Sequence, residues 1–173
     1  MKTTPRKSII LFFFILSSCC YDDDLLRNER EDYLGDNLRI DGFYYYYFQG
    51  EIVGITFFYK NGICLEIIGD GNKRANPEEV KTLFTEENIE YNRKRKAGWG
   101  VFKVTGNAFF SEKWIPPFYG SRATVIESGY ILNDTSFRIT KTDDSKEGIT
   151  DSNRTYFFYP YNPKPDSTNN YIK

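Results

Sequence analysis

The feature that most constrains the fold is a series of short aromatic and β-branched segments separated by turn dipeptides. Residues 43–48 read FYYYYF, and residues 51–60 and 63–68 are also rich in Ile and Phe. Asn61 and Gly62 separate the last two of these segments, and both residue types tolerate the positive φ that a two-residue type I′ turn requires. The pattern therefore predicts an antiparallel hairpin at this point.

Further strand-type segments follow, and turn dipeptides separate several of them. Phe137 and Ile139 alternate with polar residues, which is typical of a strand with one buried face. The expected strands are residues 38–49, 51–60, 63–68, 99–105, 108–114, 124–128, 130–132, 136–141 and 155–159, with turns at 106–107, 128–129 and 133–134. About eight consecutive strands predict an all-β antiparallel meander that closes into a barrel, with a two-sheet sandwich as the alternative.

One short helix is predicted between the third and fourth strands. Asn76 can cap it, and Pro77 suits the first helical position. Val80, Leu83 and Phe84 then fall on one face at helical spacing. The helix is expected to end before the basic run at residues 92–96.

The domain resembles small lipocalin-like bacterial lipoproteins. The segments that carry the resemblance are LRIDGFY (residues 38–44), GWGVFKV (98–104) and GYILNDTSF (129–137). The resemblance implies a barrel domain over residues 38–160. Residues 161–173 are expected to form an irregular polar tail.

The first 18 residues have the features of a bacterial lipoprotein signal peptide. A positively charged start is followed by an apolar stretch at residues 9–16, which is too short to cross a bilayer because a spanning helix needs roughly 20 residues. The sequence LSSC at residues 16–19 resembles the lipobox of bacterial lipoproteins. An ordinary secretory leader and a buried N-terminal strand are the alternatives. The resemblance implies cleavage before Cys19 and attachment of acyl chains to that cysteine.

The residues after Cys19 resemble a second targeting signal. The acidic run at residues 20–24 is similar to the export signal of Bacteroidetes lipoproteins that reach the cell surface. The resemblance implies an outer-membrane, lipid-anchored protein exposed on the cell surface. A periplasm-facing protein and a merely solvated linker remain the alternatives. Residues 19–37 are interpreted as a flexible tether, whose last 18 residues could span about 60 Å when fully extended.

Composition narrows the classes of partner and of chemistry. The formal net charge is −1, which gives no reason to expect a nucleic acid partner. The chain has no histidine, so a Ser-His-Asp or Cys-His catalytic arrangement is excluded. Cys64 lies within a predicted strand and is interpreted as a small buried hydrophobe, although a disulfide with Cys20 is also open. We predict no catalytic residue, no metal ligand and no cofactor.

Three glutamates leave carboxylate chemistry open. Glu66, Glu112 and Glu127 lie in predicted strands, where they could point inward as the pair of acids that a glycoside hydrolase needs. Strand alternation favours the solvent-facing side for each of them. The sequence therefore predicts solvated carboxylates, with a hydrolase as the least favoured function.

The aromatic residues, 18% of the chain, suggest where a ligand could bind. Most fall at alternating positions and are expected to fill the core. Trp114, Phe118 and Tyr119 differ, because the adjacent prolines interrupt the strand and are expected to leave these rings in a loop as a candidate ligand surface. The favoured function is a non-catalytic module for a small apolar ligand or a glycan. The alternative is a structural lipoprotein that docks on an envelope partner, and the basic run at residues 93–96 is a weaker candidate for acidic surfaces.

Overall fold

The structure is a computed structural model that describes residues 25–68, 72–116 and 123–173. The predicted leader and Cys19 lie outside the described residues. The strands are β1 (Gly42–Phe48), β2 (Glu51–Phe58), β3 (Ile63–Ile68), β4 (Trp99–Thr105), β5 (Ala108–Trp114), β6 (Thr124–Asn133), β7 (Ser136–Asp144) and β8 (Gly148–Pro160). The helices are α1 (Pro77–Val80) and α2 (Glu86–Arg93), with a 3₁₀-helix at Lys81–Leu83 between them.

The eight strands form one closed antiparallel barrel in the order of the chain. The first strand pairs with the last, with Gly42 opposite Pro160 and Tyr45 opposite Phe157. Closure satisfies the backbone groups that an edge strand would leave unpaired. The all-β, lipocalin-like barrel predicted from the sequence is therefore confirmed, and the sandwich alternative is not adopted.

The hairpin at Asn61 and Gly62 is present, but its turn is not of type I′. Gly62 N donates to Tyr59 O at 3.0 Å, and Tyr59 N donates to Ile63 O at 2.9 Å. Gly62 alone has a positive φ, of 75°. This is a type I turn followed by a left-handed glycine, the usual form of a three-residue loop. A type I′ geometry occurs instead between β1 and β2, where Gln49 and Gly50 have φ values of 52° and 84°.

The turn predicted at Ser128 and Gly129 is wrong, because β6 continues through both residues with a shift in register. A Cβ atom at Gly129 would lie 1.8 Å from Arg138 O. The glycine thus permits close approach of two strands and does not reverse the chain. The last strand also begins at Gly148, seven residues before the predicted start at Thr155, because its first half is polar and lacks hydrophobic alternation.

Aromatic rings fill the interior of the barrel. Phe109 stacks on Phe137 with 4.3 Å between ring centroids, and Phe137 stacks on Tyr156 at 4.6 Å. Tyr33 and Leu38 close one end of this core, where Leu38 N donates to Tyr33 Oη at 2.7 Å. Such offset and stacked ring pairs are worth about 0.5–1.5 kcal/mol each beyond their buried area.

A second core lies on the outer face of the first strands. Phe43, Phe57 and Trp99 are fully buried there beneath the helical segment. The predicted cap is confirmed, since Asn76 Oδ1 accepts from Glu79 N at 3.2 Å. The helical segment is nevertheless broken after the 3₁₀-helix and restarts at a second cap, Thr85.

The C-terminal residues are irregular, as expected, but they pack against the outer core. Tyr161, Tyr171 and Ile172 contribute side chains to that core. Lys164 Nζ donates to Ile40 O at 2.6 Å and to Phe58 O at 2.8 Å. The tail therefore belongs to the folded domain.

A buried carboxylate holds the N-terminal segment against the barrel. Glu112 faces outward from β5 and has 0% exposure. Its carboxylate accepts from Arg27 N at 2.9 and 3.0 Å, from Asn28 N at 2.9 Å and from Asn28 Nδ2 at 2.8 Å. We call this contact the Glu112 clasp. It corrects the expectation of a freely flexible tether for the described part of residues 19–37, since Tyr33 is buried as well.

We expect Glu112→Gln to release the N-terminal segment, because the N–H groups of Arg27 and Asn28 lose a charged acceptor. Hydrogen bonds to charged groups contribute about 1.5–3 kcal/mol, so the free energy of unfolding should fall by about that amount. Trypsin should also cleave faster after Arg27 and Arg30. Urea unfolding and timed proteolysis measure both effects, with Glu147→Gln as the control at an exposed carboxylate. Unchanged cleavage at Arg27 would contradict the clasp.

Candidate functional site

The meander places four connections at one end of the barrel, which we call the barrel mouth. These are the connections β1–β2, β3–β4, β5–β6 and β7–β8, whereas Tyr33 and Leu38 close the opposite end. Mouths of β-barrels are common places for ligand sites. Charged side chains line the mouth together with Val53, Ile115 and Val125, whereas aromatic rings fill the barrel deeper inside.

Four charged residues from four strands meet inside the mouth, and we call them the mouth cluster: Glu66, Lys113, Glu127 and Arg154. Lys113 Nζ lies 2.9 Å from Glu66 Oε2 and 2.7 Å from Glu127 Oε2. Arg154 Nη2 lies 2.7 Å from Glu127 Oε1. The side chain of Lys113 is only 3% exposed. Two cations and two carboxylates therefore balance each other in a largely buried setting.

Local strand geometry explains why these side chains converge. On β5, alternation directs Phe109, Ser111 and Lys113 inward, so the strand changes from apolar to charged as it approaches the mouth. Ser111 lies opposite Glu127 of β6 in the antiparallel register. The Ser111 hydroxyl accordingly donates to Glu127 Oε2 at 3.4 Å.

Lys113 and Glu127 keep each other ionised. Burial by itself would lower the pKa of Lys113, but the negative charges of Glu127 and Glu66 outweigh it and raise that pKa well above its ordinary value. Burial by itself would raise the pKa of Glu127, but Lys113 and Arg154 outweigh it and lower that pKa. At neutral pH Lys113 is a cation and no nucleophile, and Glu127 is a carboxylate and no general acid.

A tyrosine hydroxyl beside the cluster lacks a hydrogen-bond partner. Tyr156 is 1% exposed, and its Oη has no partner among the described residues. Burial and the negative charge of Glu127 raise its pKa well above the ordinary value, so the hydroxyl stays protonated. A buried polar group without a partner costs free energy of about 1–3 kcal/mol. Such a group indicates a position where water or a ligand completes the site.

The cluster borders a cavity of about 230 Å³. Its lining residues are Tyr46, Val53, Glu66, Lys113, Ile115, Val125, Glu127, Thr142 and Arg154. The Arg154 guanidinium carbon lies 5.4 Å from the centroid of the Tyr46 ring, within range of a cation–π contact. The cavity thus offers an aromatic ring, hydroxyl groups and charges of both signs.

Of the three residues of the predicted ligand surface, the structure describes only Trp114. Trp114 is the last residue of β5, is 4% exposed and packs in the outer core, so its ring is not in a loop as expected. The strand continues to Trp114 because the first proline comes only at position 116, and alternation turns this ring onto the outer face beside Glu112. Phe118, Tyr119 and the predicted lipidation site Cys19 lie outside the described residues.

The solvated location predicted for the three glutamates is wrong. Glu112 and Glu127 are buried, and the side chain of Glu66 is only 12% exposed. Their partners come from distant parts of the chain, namely the backbone near Arg27 for Glu112 and Lys113 for the other two. The one feature of the sequence that indicates a buried partner for these glutamates is Lys113, because strand alternation directs this lysine into the barrel.

Cys64 fits its predicted structural role. It is a free thiol with 0% exposure, and burial raises its pKa to about 12. The thiolate that a nucleophile or a disulfide exchange requires is therefore not populated near neutral pH.

The basic run at residues 93–96 is mostly engaged in contacts of its own. Arg93 pairs with Glu90 and Asp166, and Lys94 also pairs with Glu90. The Lys96 ammonium lies 4.6 Å from the Trp114 ring centroid. Among the described residues, Arg95 is therefore the cation of this run that keeps most of its N–H donors available for another partner.

Comparisons with known proteins do not name a function for this arrangement. No protein-family model, curated protein or solved structure matches the chain. Within residues 25–68, 72–116 and 123–173, no group of three or more Cys, Asp or Glu side chains is placed to hold a metal ion. No helix of the described part has the length and apolar character to cross a membrane.

We expect Lys113→Met to destabilise the protein by about 3–5 kcal/mol at pH 7, because two buried carboxylates lose their shared cation. The folded-state pKa of Glu127 is lowered from 4.5, so its stabilising contribution is complete above that pH and is lost as the pH falls through the folded value. The difference in unfolding free energy between wild type and variant should therefore shrink as the pH falls below 4.5. Urea unfolding over this range tests it, with the exposed Lys141→Met as control. A difference in unfolding free energy that does not change with pH would contradict the stabilisation of Glu127 by Lys113.

Proposed function

We propose that this protein is a lipid-anchored surface lipoprotein whose barrel is a non-catalytic binding domain for a glycan, with one terminal sugar unit held at the mouth. The observation that carries the proposal is the mouth cluster, in which largely buried charges of both signs border a cavity. Sugars present vicinal hydroxyls, each able to donate and to accept a hydrogen bond. A neutral ligand of this kind matches a neutral cluster.

The hydrogen-bonding capacity of the cluster supports a polyhydroxylated ligand. An ammonium has three donors, and Lys113 uses two of them on Glu66 and Glu127. Glu66 Oε2 faces Lys113, which leaves the second oxygen of the same carboxylate as an acceptor. Together with Thr142 and Arg154, which also line the cavity, the site has both donors and acceptors to offer to neighbouring hydroxyl groups.

The size of the cavity and the filled barrel interior below it favour a single glycan unit over an apolar ligand. Sites for drug-sized molecules usually measure about 300–1,000 Å³, whereas this cavity measures about 230 Å³. The barrel interior below it is occupied by the stacked rings of Phe109, Phe137 and Tyr156. A small apolar ligand would need the space that these rings fill.

The protonation states support binding without catalysis. A glycosidase needs one carboxyl group whose raised pKa makes it an acid at the working pH. Glu127 has a lowered pKa, and Lys113 stands between it and Glu66. Glu66 and Glu127 therefore bind the Lys113 ammonium and do not act as the acid and base of a glycosidase.

The lipid anchor in this proposal rests on the sequence. The apolar leader, the LSSC motif and the acidic run that follows Cys19 together support cleavage, acylation and display on the outer membrane. Two or three acyl chains on one cysteine would hold the protein on a membrane stably, whereas one chain binds reversibly.

A docking function on an envelope protein is the second candidate, and an exposed aromatic strip favours it. Tyr45 lies 5.5 Å from Tyr47 and 6.1 Å from Phe157 between ring centroids, on the outer face of β1 and β8. Tyr47 and Phe157 are each more than 40% exposed. Adjacent exposed rings are a common feature of protein interfaces.

Arg154→Gln should weaken glycan binding about tenfold or more while the fold is retained, because Lys113 still balances Glu127. The side chain is 29% exposed, so it can reach a ligand in the cavity. A glycan array on the intact barrel identifies the ligand, and calorimetry then compares the variant with wild type. Arg138→Gln is the matched control, an arginine that contacts Thr155 on the neighbouring strand. Equal affinity in all three proteins, or no glycan retained by wild type, would overturn the mouth site and leave envelope docking as the favoured function.

Cys19→Ser should abolish acylation and release the protein from membranes. Intact mass and cell fractionation measure the loss of acyl chains, and proteolysis of whole cells tests surface display. We expect wild type to carry the added acyl mass and to be shaved from intact cells. An unmodified wild-type protein in the soluble fraction would refute the anchor, and an acylated protein protected from protease would place the barrel on the periplasmic side.

A further inference from the structure

A second cavity adjoins the mouth, on the side where α2 packs near the barrel. It measures about 260 Å³, and we call it the side pocket. Its lining includes Glu66, Tyr91, Arg95, Gly98 and Pro116. Glu66 also lines the mouth cavity, and the neighbours Ile115 and Pro116 line one cavity each. The two spaces are thus adjacent and meet at Glu66.

The side pocket carries an exposed aromatic ring in a defined position. Tyr91 belongs to α2 and is 57% exposed, although a ring of this size usually avoids water. The Arg95 guanidinium carbon lies 4.7 Å from its ring centroid, one helical turn further along the chain. This cation–π contact orients the ring without covering it fully. A ring so held can stack against the apolar face of a sugar.

Arg95 itself provides a charge for recognition. Among the described residues no carboxylate is paired with it, in contrast to Arg93 of the same basic run. A guanidinium that stacks on an aromatic ring still presents its planar edge of N–H donors. That edge fits the two oxygens of a carboxylate in a bidentate pair.

Two asparagines of α2 add acceptors to the same wall. Asn88 Nδ2 donates to Leu83 O at 3.2 Å, and Asn92 Nδ2 donates to Asn88 O at 2.7 Å. Both residues line the side pocket. Because their amide nitrogens hold the helix backbone, the amide oxygens are the groups that remain for ligand hydroxyls.

From this arrangement we infer that the side pocket is a second subsite, which takes an acidic sugar unit next to the unit held at the mouth. Tyr91 stacks on the ring of this unit, and Arg95 pairs with its carboxylate. The inference rests on the proposed function and extends it, because the ligand becomes the end of a uronate-containing oligosaccharide. Neither the mouth cluster nor the barrel interior supplies an unpaired cation of this kind.

The test compares sugars of different length and charge on the same proteins. Calorimetry on the full chain uses uronate-containing oligosaccharides from alginate, pectin and hyaluronan, neutral cello- and xylo-oligosaccharides, and the constituent monosaccharides. We expect an acidic oligosaccharide to bind wild type more tightly than its monosaccharides do. Tyr91→Ala should weaken that oligosaccharide roughly threefold to tenfold and leave monosaccharide binding unchanged. Arg95→Gln should remove the preference for acidic over neutral chains and flatten the salt dependence of binding.

The controls separate the second subsite from the proposed function. Tyr130→Ala removes an exposed ring on β6, away from the side pocket, and should change nothing. Arg154→Gln should weaken monosaccharides and oligosaccharides alike, because the mouth unit is common to both. If monosaccharides bind but chain length and Tyr91→Ala have no effect, the second subsite is refuted and the mouth site stands. If wild type binds no sugar of any length, both the proposed function and the second subsite are refuted.

Discussion

The pairing of β1 with β8 is the constraint on which the rest of the structure depends. Gly42–Tyr45 and Phe157–Pro160 lie more than a hundred residues apart, and their hydrogen bonds convert a meander into a closed wall. Once the wall is closed, every strand has an inner and an outer side. The rings of Phe58, Phe102 and Phe137 must then share one narrow interior. The same closure brings charged residues of β3, β5, β6 and β8 together at the mouth.

Burying the Lys113 ammonium costs free energy unless carboxylates lie within hydrogen-bond distance of it. The register of the strands places Glu66 and Glu127 at that distance. Removing two carboxylates and two cations from water is rarely a net gain in stability compared with apolar side chains of the same size. An apolar plug would have closed the mouth as effectively as the rings close the middle of the barrel. The presence of Lys113, Glu66 and Glu127 at this depth instead suggests selection for a polar binding site, which is why the cluster carries the functional proposal.

Local patterns allowed most of the fold to be predicted, whereas the site depends on contacts that no local pattern reports. The alternation around Phe137 and the cap at Asn76 express preferences of a few neighbouring residues, so they are visible in the sequence. Gly129 was misread because a glycine at a close strand approach has the same local signature as a glycine in a turn. The mouth cluster was missed because the position of Lys113 has meaning only once Glu66 and Glu127, which come from two other strands, lie beside it. The strand was predicted to end at Trp114, as it does, but its position at a strand end did not reveal that the ring packs in the outer core.

The Glu112 clasp changes how the domain would sit on a membrane. If Cys19 carries the lipid, the length of chain from Cys19 to Arg27 limits the separation of lipid and docking point to at most about 28 Å, less than half the reach of an unattached segment. Glu112 is also the residue next to Lys113, so the anchoring point lies on the barrel wall beside the mouth. The barrel would lose much of its rotational freedom and keep its opening at a restricted height above the lipid headgroups. At that height, carbohydrate attached to the same membrane is as accessible as carbohydrate arriving from the medium.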